Sequence, residues 1–110
     1  MQQIVVNKAN YIGKPFFVLE QDLKLKIKNF SSIGKEAHKN EATSTIFRFR
    51  SIREQGDRFY PRLKIFWKEP YLSLIKSDSI YMRDRKNIGV WDREAESLYR
   101  SCVIEDIQAR

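Results

Sequence analysis

The sequence holds one cysteine, Cys102, and one histidine, His38. A single cysteine excludes an internal disulfide. A single histidine, in the polar stretch "EAHKNEA", leaves no partners nearby for a metal site or a catalytic dyad, so a solvated imidazole is expected. Cys102 falls on an apolar stripe, which predicts a buried, inert thiol. The longest apolar run, "PFFVL" (15–19), is far short of the ~20 residues a membrane helix needs. The first residues, "MQQIVVNKAN", lack the charged start, apolar core and cleavage site of a secretory leader, so an intracellular location, cytoplasmic or nuclear, is expected. Internal repeats and low-complexity tracts are absent. Two Gly-Lys pairs, at 13–14 and 34–35, lack the further glycines and the Ser/Thr of a phosphate-binding loop. No pair of carboxylates can be assigned to acid/base roles from the pattern. The chain is therefore read as non-catalytic, with no cofactor and no metal.

What the sequence does hold is positive charge and aromatic residues. With 42% apolar and 13% aromatic residues over 110 positions, the chain is expected to fold as one domain around one core. The net charge is +7, and it is uneven: residues 1–68 carry 14 Lys/Arg against 6 Asp/Glu, whereas 69–110 carry 7 against 8. A localised positive field raises the expectation of an anionic partner.

Pattern predicts these elements. "IVV" (4–6) and "PFFVLE" (15–20) read as short strands around the turn "YIGKP". "DLKLKIKNF" (22–30) alternates Leu23, Leu25 and Ile27 with Lys24, Lys26 and Lys28, which favours a strand over a helix. The polar segment 31–42 reads as a loop or a short capped helix. "STIFRFRSI" (44–52) and "RFYPRLKIFWK" (58–68) are the clearest strands. "YLSLIK" (71–76) and "SIYMR" (79–83) suggest a second hairpin, and "NIGVW" (87–91) a last short strand. From Asp92, a good N-cap, Ala95, Leu98, Tyr99, Cys102, Val103 and Ile107 make one apolar stripe at helical spacing. The fold class is α+β: a curled antiparallel β-sheet, a barrel in its closed form, closed by a C-terminal amphipathic helix.

The central hairpin carries the candidate site. A loop at Gln55-Gly56-Asp57 pairs residues whose numbers sum to 112. Thr45, Phe47 and Phe49 then share a face with Leu63, Ile65 and Trp67. Arg48 and Arg50 share the other face with Arg62 and Lys64. This register segregates apolar from charged residues, which is what fixes strand register. Pro61 cannot donate to a ladder and marks an edge or a bulge. Like charges directly opposite destabilise a sheet by up to ~1 kcal/mol per pair. A polyanion would relieve that, with Tyr60 and Phe66 stacking on bases. The plain alternative is an ordinary solvated face whose lysines and arginines discourage edge pairing. The cluster "RDRK" (83–86) is a solvated tip or an extension of a phosphate track.

The segments "EPYLSLI" (69–75) and "NIGVWDREAESLYRS" (87–101) resemble the end of EVH1-type domains, including the decapping-activator branch of the pleckstrin-homology superfold. The resemblance covers about a third of the chain. It implies a curled sheet closed by a capping helix, and it assigns no site residue.

Two functions follow as expectations. The first is a nucleic-acid-binding module, for RNA or DNA. Arg48, Arg50, Arg62 and Lys64 would contact phosphates, Tyr60 and Phe66 would stack, and Lys24, Lys26 and Lys28 would extend the track. The second is a protein-interaction module of inhibitor, immunity or scaffold type, binding an acidic partner or a peptide. Which face of the sheet the helices cover separates an available basic face from a buried one.

Overall fold

A computed structural model describes residues 2–23, 26–34, 40–49, 62–83, 86 and 88–109. The elements are α1 (Gln2–Val6), α2 (Phe16–Asp22), β1 (Asn29–Ile33), β2 (Glu41–Ala42), β3 (Ser44–Arg48), β4 (Arg62–Trp67), β5 (Leu72–Ser73), α3 (Leu74–Tyr81), α4 (Arg93–Tyr99) and β6 (Ile104–Ala109). Four strands form an antiparallel sheet in the order β1-β3-β4-β6, and β2 pairs with β5 in a two-stranded one. The mixed α+β class and the antiparallel sheet stand as expected. The four-stranded sheet is open, and no closed barrel forms among the described residues.

One face of the sheet carries the core. Phe30, Phe47, Leu63, Ile65, Trp67, Ile104 and Ile107 are buried and join Phe16 and Leu19 of α2 and Ala95 and Tyr99 of α4 in one cluster. Phe16 stacks on Phe47 with ring centroids 4.7 Å apart, and Tyr99 stacks on Trp67 at 5.9 Å. Helices α2 and α4 therefore cover the odd-numbered face of the β3–β4 pair, as the alternation requires.

The register differs from expectation in an instructive way. Thr45 pairs with Ile65, Phe47 with Leu63 and Arg48 with Arg62, so paired numbers sum to 110 rather than 112. A slip of two leaves every side chain on the same face. Segregation of apolar residues fixes the parity of a register and is blind to a two-residue shift. The turn itself and Pro61 lie outside the described residues, as does His38.

Several expected strands are helices. Residues 4–6 belong to α1, and "FFVLEQD" forms α2. Short apolar runs do not distinguish helix from strand by period. In α2, Phe16 and Leu19 are fully buried while Phe17 is exposed, a helical spacing. The N–H groups of Phe16 and Phe17 at the start of α2 donate to the carbonyls of Cys102 and Arg100 at 2.8 and 3.1 Å. The C-terminal end of α4 thus satisfies donors that a helix start leaves open. The expected second hairpin at 71–83 is β5 followed by α3, with Ser73 as the N-cap accepting from the Lys76 N–H. Ser77, which lies between the two expected strands, is instead fully buried in α3. Ser31–Ile33, expected in a loop or a short capped helix, complete β1. Leu23 is already extended, but the strand proper begins only at Asn29. Near 88–91, the strand pairing among the described residues is a single bridge between Asn29 and Val90.

The largest correction concerns the C-terminal helix. Asp92 is the N-cap, accepting from the Ala95 N–H, with Glu94 and Glu96 in the first turn. The helix nevertheless ends at Tyr99, and Ile104–Ala109 is an edge strand. Phe66 pairs with Asp106 but Trp67 with Ile104, so Glu105 is an extra residue on β6. That bulge turns Ile104 and Ile107, three positions apart, toward the same core. A strand with a bulge reproduces a helical spacing over one step, and this is why the apolar stripe misled.

A chain of hydroxyls runs through this core. The Trp67 indole N–H donates to Thr45 Oγ1 at 2.9 Å, Thr45 shares a hydrogen bond with Ser32, and Ser32 and Ser77 both meet the Tyr99 hydroxyl. Burial pushes the Tyr99 phenol up, while the hydroxyls of Ser32, Ser77 and Thr45 pull it down. Tyr99→Phe keeps the ring but removes the hub, leaving buried hydroxyls short of a partner. It is expected to lower stability by about 1–3 kcal/mol, read from the urea midpoint at unchanged slope.

Candidate nucleic-acid interface

The other face of the sheet is where the charged residues gather. Directly paired residues share a face, so the register places Asn29 and Ser31 of β1, Ile46 and Arg48 of β3, Arg62, Lys64 and Phe66 of β4, and Asp106 and Gln108 of β6 together. Among the described residues, the ring contacts of Phe16 and Tyr99 with the sheet fall on Phe30, Phe47 and Trp67, outside this set.

Arg48 is its organised centre. Its Nη1 donates to Asn29 Oδ1 and to Ser31 Oγ, both at 3.1 Å. Asn29 is itself buried, and its amide donates to the Ile88 carbonyl at 2.7 Å. Arg48 lies directly opposite Arg62. Burial first, and the charge of Arg62 second, pull the Arg48 guanidinium below its ordinary value, with Tyr81 acting the other way. A guanidinium stays protonated at neutral pH regardless. The direction means that positive charge is held where it is disfavoured. Among the described residues no carboxylate pairs with Arg48 or Arg62. The acid of this face, Asp106, is engaged by Lys8 at 2.8 Å, and that contact holds its carboxyl below the usual range.

Lys64 and Phe66 are not independent. The Lys64 ammonium sits 5.0 Å from the Phe66 ring centroid. A cation over the ring face occupies the surface that a base would need. Phe66 is therefore placed on the expected face, but with its stacking surface covered.

The lysines ahead of β1 are split from this set. Lys28 is exposed, and its N–H donates to the Arg48 carbonyl at 2.9 Å, beside the end of β3. Lys26 is exposed and lines a groove formed with Glu20, Leu23, Ile27, Trp91 and Glu96. Asn29 and Phe30 are both buried, which interrupts the alternation that would have continued the lysines onto the sheet face. Lys24, Arg50 and Tyr60 lie outside the described residues. Sequence reasoning missed Asn29 and Ser31. Their signal was there only in the correct register, which sets Asn29 across from Arg48 and Ser31 across from Ile46, one step along the same face.

Elsewhere, Arg83 reaches Asp92 and Glu94 and ties the end of α3 to the start of α4. A guanidinium held by two carboxylates is unsuited to phosphate, and among "RDRK" residues 84 and 85 lie outside the described set. Among the described residues no group of His, Cys, Asp and Glu could hold a metal ion, and no helix is long and apolar enough to cross a membrane. Burial pushes the Cys102 thiol up to about 11. Cys102 is thus expected to resist thiol reagents at neutral pH in the folded protein and to react promptly once denatured, as timed by a chromogenic disulfide. Compared with family models, curated proteins and solved structures, the chain has no match.

Proposed function

We propose that this chain is a small, non-catalytic module that binds a nucleic-acid backbone on the open face of its sheet. The observation that carries the reading is Arg48. It is half-buried, oriented by Asn29 and Ser31, opposed by Arg62, and without a carboxylate among the described residues. A phosphate between the two guanidiniums would relieve their repulsion and accept hydrogen bonds in the bidentate geometry that arginine favours. Lys28, Lys64 and the basic excess of residues 1–68 would add phosphate contacts.

The Lys64–Phe66 contact favours phosphate over base contacts, so weak sequence preference is expected. The test is fluorescence anisotropy with labelled single- and double-stranded DNA and RNA at two salt concentrations. Affinity should fall with a log–log slope of about 0.7–0.9 per phosphate contacted. Arg48→Gln should weaken binding about tenfold, the loss of a charge-assisted pair, without a comparable loss of stability. Absence of binding at low salt to all four probes would rule the proposal out. Partners retained from extract after nuclease treatment, with no oligonucleotide binding, would instead select an acidic protein as the ligand.

A further inference from the structure

The helix layer carries a second, chemically opposite feature. Between α2, α4 and the segment leading into β1 lies a half-open groove of about 310 Å³, lined by Glu20, Leu23, Lys26, Ile27, Trp91 and Glu96. That size is at the lower end for small-ligand pockets. Its apolar part is Leu23, Ile27 and the half-buried Trp91 indole. Its anionic part is two carboxylates brought together from different helices, Glu20 of α2 and Glu96 of α4. We infer that this groove binds a primary ammonium on an alkyl stem, the stem lying along Leu23, Ile27 and Trp91 and the cation reaching Glu20 and Glu96.

Three observations support the assignment. The carboxylates are mutually unfavourable, so a bound cation is stabilised by both. Burial and then the charge of Glu96 push the Glu20 carboxyl up, and Trp91 and Arg100 offset this only in part. Lys26 lines the same groove but does not figure among the charges that act on Glu20. Lys26 and Glu96 are both exposed, and Glu20 is half-buried between them and the apolar wall. Finally, the site combines apolar walls with a charged end, which suits a linear amine. The inference stands apart from the nucleic-acid reading: none of its residues except Lys26 was assigned to phosphate contact.

The shared chemistry has two sources, a free diamine and a lysine side chain. Amide and side-chain NMR shifts of the whole chain would be followed while titrating 1,5-diaminopentane, capped lysine amide and 1-pentanol in separate runs. Saturable shifts centred on Leu23, Ile27 and Trp91 are expected with the amines and not with the alcohol. Binding of the diamine alone would assign a free polyamine; binding of the capped lysine would assign a peptide side chain. Glu96→Gln and Glu20→Gln should each weaken amine binding about tenfold, as expected for losing a hydrogen bond to a charged group. A direct readout of the Glu20 carboxyl carbon should show its titration moving to lower pH when amine is bound. Unsaturable shifts, equal response to pentanol, or affinity unchanged in Glu20→Gln/Glu96→Gln would overturn the inference. Arg48→Gln should leave amine binding intact, which separates this result from the fate of the basic face.

Discussion

Phe47→Ala is expected to destabilise the protein by about 3–5 kcal/mol, the range for removing a fully buried aromatic ring. Phe47 is fully buried and lies at the centre of the aromatic cluster. Its ring stacks on Phe16 and meets Trp67, Trp91 and Tyr99 edge-on at 6.3, 5.3 and 6.0 Å. Those partners come from α2, β4, the segment before α4, and α4 itself. Truncation therefore opens a cavity where the helix layer meets the sheet, and no one element can move to fill it. Domains of this size are stable by only about 5–15 kcal/mol, so much of the total is lost. Urea unfolding followed by tryptophan fluorescence should show the midpoint falling by roughly 1–5 M at typical slopes. Phe17→Ala, one residue along α2 from the stacked Phe16 but exposed, should change the midpoint little.

The other large effect is expected at Gly89. Its φ is +75°, a region that costs other residues about 1–2 kcal/mol. A methyl group there would also lie 2.5 Å from the Phe30 carbonyl and 2.8 Å from the Asn29 amide nitrogen. Neither can withdraw easily. The Phe30 N–H already donates to the Gly89 carbonyl at 2.9 Å, and the Gly89 N–H donates to the Tyr81 carbonyl at 2.8 Å. Gly89→Ala should thus cost about 2–5 kcal/mol, conformational strain plus overpacking. Gly13 supplies the comparison. Its φ is +83°, but nothing lies within 4 Å of a Cβ added there. Gly13→Ala should show the conformational cost alone. The difference in melting temperature between the two variants isolates the clash, at about 4–8 °C per kcal/mol for a domain near this size. Gly89→Ala should also weaken oligonucleotide binding in the folded fraction, because the displaced Asn29 is what orients Arg48.

How much of this was legible in the sequence differs from element to element. The division of β3 and β4 into a core face and a charged face was fully legible, since it rests on period-two alternation alone. The start of α4 was legible too, because capping is local chemistry between Asp92 and Ala95. What failed was non-local. "PFFVLE" is apolar enough for either state, and its helical form depends on carbonyls of Arg100 and Cys102. The C-terminal stripe needed a bulge opposite Phe66 and Trp67 to become a strand, and no local signal announces a bulge. At the candidate site, Arg48 and Arg62 were found on the right face. Their direct opposition, and the role of Asn29 and Ser31, required a register that hydrophobic segregation could not fix.

The hydrogen bonds between the two ends of the described chain bear on how it folds. Gly13, Phe16 and Phe17 donate to Ile104, Cys102 and Arg100, and Ile104 donates back to Lys14. The N–H groups of Gly13, Phe16 and Phe17 and the carbonyl of Lys14 thus gain these partners only after position 104 has been made. In a chain emerging from a ribosome, α2 is a seven-residue segment, too short to persist as an isolated helix in water. Closing a loop of this length ahead of the contacts that reward it slows folding. The fold is therefore assembled late and all together, with its first helices among the last elements to become secure.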